Sequence, residues 1–284
     1  EQEIKRRVKG QDLAVQKSIS VIKRAKTGLS GLQHSSNSKP KGILFFAGPT
    51  GTGKTELAKS LAELLFGDES ACRRFDMSEY AESHSAQKLF GAPPGYVGYE
   101  AGGQLTNVIK EHPFSLLLFD EIEKASPSIW DKFLQILEDG RMTDGQGNTV
   151  YFSEALIVFT SNLGIYKDVG GVKTRVVDIN MPYEQVESTV TEGIQDYFHQ
   201  KGKPEVLNRI GKNLIVFNFI QPDAAKEIMR SQINKICGKI KETQAIEIEL
   251  NENVWEKIEE KVLGNLEEGG RGVGNVVEEY FAAI

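Results

Sequence analysis

With 284 residues, 39 % hydrophobic and 26 % charged, the chain is long enough for a sizeable core and two domains, and its make-up is that of a soluble globular protein. A net charge of −6 argues against a general nucleic-acid-binding surface, and no apolar run approaches a membrane span. Cys72 and Cys237 stand far apart, without metal spacing or a disulfide framework, which points to structural thiols in a reducing compartment, the cytoplasm or an organelle matrix.

No signal peptide precedes the first helix. The chain starts at Glu1 without Met and stops at Ala282-Ala283-Ile284 inside an expected helix, so it reads as a piece of a longer polypeptide. Residues 11–26 carry Val15, Ile19 and Ile22 at helical spacing, and Val8-Lys9-Gly10-Gln11 leads into them. Residues 30–41, rich in Ser, Gly and Asn, read as a flexible connection. The apolar run at 42–47 is that of a buried parallel strand, and 56–66 is a helix with Leu57, Leu61, Leu64 and Leu65 on one face.

Between that strand and helix stands Gly48-Pro49-Thr50-Gly51-Thr52-Gly53-Lys54-Thr55, which fits the phosphate-binding loop G-x-x-x-x-G-K-[ST]. Glycines let the backbone curl so that successive N–H groups face a phosphate chain. Lys54 can reach the β- and γ-phosphates, the Thr55 hydroxyl can ligate Mg²⁺, and the helix N-terminus favours anions.

A second short strand is expected at 73–77 and a helix at 83–90. The Gly/Pro-rich stretch 91–100 is neither helix nor central strand, yet it holds Tyr96, Val97 and Tyr99, groups either buried under the loop or exposed for binding. A helix follows at 102–111, and after Pro113 residues 114–121 read as a buried strand ending in Asp120 and Glu121, the Walker B pattern. Asp120 would hold the Mg²⁺ shell, and Glu121 would orient and activate the attacking water. Residues 126–139 form an amphipathic helix, 140–147 join a hairpin, and 155–161 form another buried strand ending at Asn162, whose amide can bind the γ-phosphate or the attacking water. Residues 164–181 are read as irregular and 182–199 as helical; 204–210 contain Arg209, and 214–219 are read as a strand. Beyond Gln221, helices are expected at 224–242 and 252–263, an alternating strand at 245–250, and a last helix after Gly269-Gly270-Arg271-Gly272. The expectation is an α/β domain over 1–220 and a small, mostly helical one with a short strand over 221–284.

The phosphate loop at 48–55, together with 75–80, 91–100, 117–125, 139–144 and 160–164, resembles in order and content the Clp group of AAA+ ATPases. The likeness is to the second ATPase module of ClpB-type disaggregases and of ClpA, ClpC and ClpV relatives. It implies a three-layer P-loop NTPase domain with a central parallel sheet, hydrolysis of ATP with Mg²⁺, a hexameric ring, and threading of unfolded or aggregated polypeptide through a central pore. By the same resemblance Val8 and Lys9 pack on adenine, with Lys9 where the family usually has Ile, and Asn162 is sensor 1. Arg209 is the arginine finger reaching a neighbouring subunit, Arg271 is the sensor 2 arginine, and Tyr96 with Val97 is the pore loop. Gly211 replaces the usual Asp after the finger, residues 164–203 have no clear match, and no peptidase-docking loop is evident. A nucleotide-dependent assembly or remodelling module with weak hydrolysis is the alternative. A nucleic-acid motor is disfavoured by the acidic balance and the aromatic loop.

Overall fold

The structure is a computed structural model that describes residues 1–26, 39–82, 84–96 and 99–282. Most of the expected connection at 30–41, Ser83, Val97 and Gly98 of the Gly/Pro-rich loop, and Ala283 and Ile284 lie outside the described residues.

Helices α1 (Gln2–Arg7) and α2 (Asp12–Lys26) precede strand β1 (Gly42–Ala47), which the phosphate loop joins to α3 (Lys54–Phe66). Strand β2 (Cys72–Asp76), helices α4 (Ser85–Phe90) and α5 (Gln104–Glu111), strand β3 (Leu116–Asp120) and α6 (Pro127–Asp139) follow. Strands β4 (Arg141–Thr143) and β5 (Thr149–Tyr151) make the expected hairpin, and β6 (Leu156–Ser161) returns to the main sheet. Residues 164–181 are not wholly irregular: β7 (Tyr166–Val169) and β8 (Val172–Arg175) form a second hairpin turned by Gly170 and Gly171. Helices α7 (Tyr183–Gln200) and α8 (Pro204–Ile210) lead to β9 (Leu214–Val216).

The main sheet is parallel throughout, in the order β2-β3-β6-β1-β9. Successive side chains in a strand face opposite ways. Leu44, Phe46, Leu116, Leu118, Leu156 and Val158 therefore meet α2 and α3 on one face, packing with Val15, Leu57 and Leu61. Phe45, Leu117, Phe119, Ile157 and Phe159 meet α6 and α7 on the other, with Phe133, Ile136, Val190 and Phe198. Burial on both faces is why these strands read as continuous apolar runs. Leu64 is the exception in α3: spacing put it on the apolar face, but it is exposed.

Helices α9 (Pro222–Gln244), α10 (Glu252–Gly264) and α11 (Gly269–Phe281) close around a separate cluster including Met229, Ile233, Ile258, Val262, Val273 and Val277. Residues 245–250, expected as a strand from their alternation, are not one. Ala245 is left-handed (φ 58°) at the end of α9, and nothing in these helices offers a ladder. A strand needs a hydrogen-bonded neighbour, which alternation alone cannot supply. The Gly269–Gly272 run does not precede the last helix but forms its first turn.

On the second face Phe133 touches Phe119 at 4.6 Å and Phe159 at 5.3 Å between ring centroids, both edge to face. Phe133→Ala should cost about 3–5 kcal/mol of stability, the range for a buried aromatic truncation. Chemical denaturation of the two proteins measures it, and a loss below ~1 kcal/mol would contradict this packing.

Candidate active site

The parallel strands bring their carboxyl ends to one edge: Ala47 registers with Ser161, and Asp76 with Asp120. Ligands of open α/β sheets bind along that edge. The phosphate loop leaves β1 there, passing through left-handed Gly51 (φ 75°) and Gly53 (φ 96°) before α3 begins at Lys54. Such backbone is cheap only for glycine. The Thr52 hydroxyl donates to the Pro49 carbonyl (2.8 Å) and closes the loop from beneath.

Lys54 is buried, and its ammonium donates to Gly48 O (2.7 Å), Pro49 O (2.7 Å) and Asn162 Oδ1 (3.1 Å). Burial pushes it down to about 8, against the pull of Glu123, Asp120 and Glu121 and with the repulsion of Arg271. Asn162, just past β6, donates Nδ2 to Glu121 Oε1 (3.4 Å) and its backbone N–H to Glu123 Oε1 (3.1 Å). One amide thus spans the loop lysine and the acids after β3. Glu121 itself sits in left-handed backbone (φ 56°), its N–H donating to Thr160 Oγ1 (3.1 Å). The Thr160 hydroxyl in turn donates to Asp120 Oδ1, and Arg74 grips Asp120 Oδ2 through Nε (2.8 Å) and an η nitrogen (2.7 Å).

A cleft of about 660 Å³ runs from these groups past Thr50–Thr55 to Val8 and Lys9. Gln11 holds that N-terminal segment by exchanging two hydrogen bonds with the Asn218 backbone (2.9 and 3.0 Å). The opposite wall is α9, through Ile228, Ser231 and Gln232, and Lys9 is ion-paired to Glu227 at 2.9 Å. Arg271 lines the cleft from the first turn of α11. The approach needs glycines on both sides: Gly270 N–H donates to Gly51 O (2.8 Å), a Cβ on Gly51 would meet Glu268 O at 2.4 Å, and one on Gly269 would meet Gly51 O at 2.8 Å.

Lys54, Thr55, Asp120, Glu121, Asn162, Arg271, Val8, Lys9 and Thr50 to Gly53 therefore share one cleft. Pro49 is buried behind it and contributes its carbonyl. Arg209 is outside, forked onto Glu138 of α6 (3.1 and 2.7 Å). Tyr96 is also outside and 61 % exposed, not packed beneath its loop; Val97 is not described. Sequence reasoning missed Arg74, Glu123 and Thr160. The only signals were a charged residue two before the end of a strand, a second acid after the Walker B pair, and a hydroxyl late in an apolar strand.

Thr55 and Asp120 face the cleft together, and among the described residues no group of three or more His, Cys, Asp or Glu could hold a metal. A hydroxyl and one carboxylate fit Mg²⁺, which keeps waters and takes oxygens from bound phosphates. A phosphate loop and a Walker B pair at the carboxyl edge of a parallel sheet define a P-loop NTPase. The family profile described as "AAA domain (Cdc48 subfamily)" matches residues 39–213. Similar proteins include the chaperone protein ClpB of Prochlorococcus marinus, 42 % identical over 261 residues, covering 92 % of this chain and 28 % of that one. A ClpA homolog of Porphyra purpurea, named as an ATP-binding subunit of the Clp protease, is 42 % identical over 260 residues (90 % and 30 %). The chloroplastic chaperone protein ClpC2 of Arabidopsis thaliana is 41 % identical over 263 residues (91 % and 26 %). The chain belongs to the Clp family of AAA+ ATPases. It spans between 25 % and 30 % of the length of these and similar relatives.

Bound phosphates would raise the Lys54 pKa above its ligand-free value, so binding favours protonated Lys54. Nucleotide affinity should be level below pH about 8 and fall as pH rises through it, with proton uptake on binding there. Titration calorimetry in buffers of different ionisation enthalpy measures the uptake. Zero uptake and a flat affinity across that pH would contradict the buried cation.

Proposed function

We propose that this chain is a Mg²⁺-dependent ATPase module of a ring-forming protein unfoldase or disaggregase, working in the cytoplasm or an organelle matrix. Residues 1–220 act as the large nucleotide-binding domain and 221–284 as the small one. The observation that carries this reading is a division of the functional groups. The cleft gathers Lys54, Asp120, Glu121, Asn162 and Arg271, while Arg209 and Tyr96 stand outside it on the surface. A finger and a grip with no use in their own subunit suit an assembly in which each serves a neighbour or a shared channel.

In this reading Val8 and Lys9, facing Ile228, take the adenine, and the loop amides with Lys54 take the phosphates. Thr55 and Asp120 would hold Mg²⁺, which supplies charge neutralisation at the β- and γ-phosphates. Glu121 orients and polarises the attacking water, and Asn162 fixes Glu121 relative to Lys54. Arg271 adds a positive charge from the small domain. Arg209 leaves Glu138 to meet the γ-phosphate of an adjoining subunit. That surface pair is worth little, so its release costs little.

Arg209→Ala and Glu121→Gln should each bind nucleotide and lose turnover by orders of magnitude. Mixed in one ring, they should recover some activity, because certain interfaces then hold one intact Glu121 and one intact Arg209. A ring of confirmed mixed composition with no recovered turnover would remove the trans role.

Tyr96→Ala should leave melting and basal hydrolysis nearly unchanged, since the ring is exposed, and abolish threading of a tagged unfolded protein. Melting temperature, ATPase rate and substrate unfolding on the one variant test this. Normal threading by the variant would remove Tyr96 as the gripping residue, and no threading by the unaltered protein would return the chain to the remodelling alternative.

A further inference from the structure

Strand β2 carries Arg74 and Asp76 on one face, two residues apart, and Asp76 registers beside Asp120. Asp120 has both carboxylate oxygens engaged, Oδ1 by the Thr160 hydroxyl and Oδ2 by two nitrogens of Arg74. A divalent cation approaching Asp120 therefore meets a guanidinium on one carboxylate oxygen and a hydroxyl on the other. The same guanidinium already lies 3.3 Å from Asp76 Oδ2. Asp76 is held ionised by hydrogen bonds from Ser78 and by the nearby Arg74. Arg74 is half exposed and lines the cleft, so it has room to move.

We propose that Arg74 is the resident counter-ion of Asp120, that a divalent metal entering with nucleotide displaces it onto Asp76, and that this exchange sets the metal concentration the site requires. The proposal rests on the nucleotide reading above and concerns what that site demands before chemistry. Without the metal, Arg74 offsets the negative charge of Asp120 at the cleft floor. With the metal, Asp76 offers Arg74 a second carboxylate, so the cation is exchanged and not left unpaired.

The test uses Mn²⁺ as the probe, followed by electron paramagnetic resonance with the protein saturated in ADP. Arg74→Gln should bind Mn²⁺ roughly two- to fivefold more tightly than the unaltered protein, the scale of a part-exposed ion pair. Asp76→Asn keeps the turn-capping oxygen and should weaken Mn²⁺ binding by a similar factor, because Arg74 loses its alternative partner. In the Arg74→Gln background the Asp76 change should have almost no effect. An unchanged or weaker Mn²⁺ constant in Arg74→Gln overturns the proposal, as does an Asp76 effect that persists in the double variant. Should Arg74→Gln fail to fold by circular dichroism, Arg74→Lys keeps the charge without the fork and should also tighten Mn²⁺ binding. No tightening there overturns the proposal too. ADP binding is first measured with the metal chelated. Failure of the unaltered protein to bind ADP removes the nucleotide reading and this proposal together, whereas ADP binding with an unaltered Mn²⁺ constant removes this proposal alone.

Discussion

A lysine ammonium buried beneath its own loop needs acceptors, and the site is built around finding them for Lys54. Two are carbonyls of the loop, Gly48 and Pro49, and the third is Asn162 at the end of a neighbouring strand. The carbonyls require the tight left-handed turns at Gly51 and Gly53, and the amide requires β1 and β6 to run in register to their ends. Desolvation still costs the cation, which is why its pKa falls to about 8 despite three nearby carboxylates. A phosphate chain bound there would relieve that cost.

The acids after β3 depend on the same frame. Glu121 occupies left-handed backbone, a cost of about 1 kcal/mol or more for a residue with a side chain. The Thr160 hydroxyl supports this turn by accepting the Glu121 N–H while donating to Asp120. Asn162 then holds Glu121 and Glu123 from the adjacent strand. Strain at one residue is met by hydrogen bonds from a single neighbouring strand, so the acids are positioned relative to Lys54 and not merely near it.

The helical unit after Ile220 reaches the cleft by two routes. Helix α9 lays Ile228 and Gln232 along the wall facing Val8, and α11 presses Gly270 against Gly51. Movement of this unit would change the cleft at both the base end and the phosphate end. The Lys9–Glu227 ion pair crosses the same gap and links the two walls of the cleft by charge.

The phosphate loop, the buried strands and the Walker B acids were legible in the sequence because their chemistry is local. Gly48 to Thr55 needs its residue types at fixed spacing, and a parallel strand covered on both faces can be written only in apolar residues. Val8 to Gln11 and Asn162 were legible as positions, but not as partners of Asn218, Lys54 and the β3 acids. Arg74, Thr160 and Glu123 were missed because their roles arise only when β2, β3 and β6 lie side by side. The β7–β8 hairpin escaped notice because its short strands are mostly polar and exposed, without an apolar face to mark them. The alternation at 245–250 misled for the opposite reason: it described a strand, but a strand exists only with a neighbour. Composition, periodicity and spacing thus determined the class of fold and the place of the phosphate-loop motif. Which side chains meet at the cleft floor, and which cation guards Asp120, was decided by tertiary structure, because those contacts join residues tens of positions apart through sheet register.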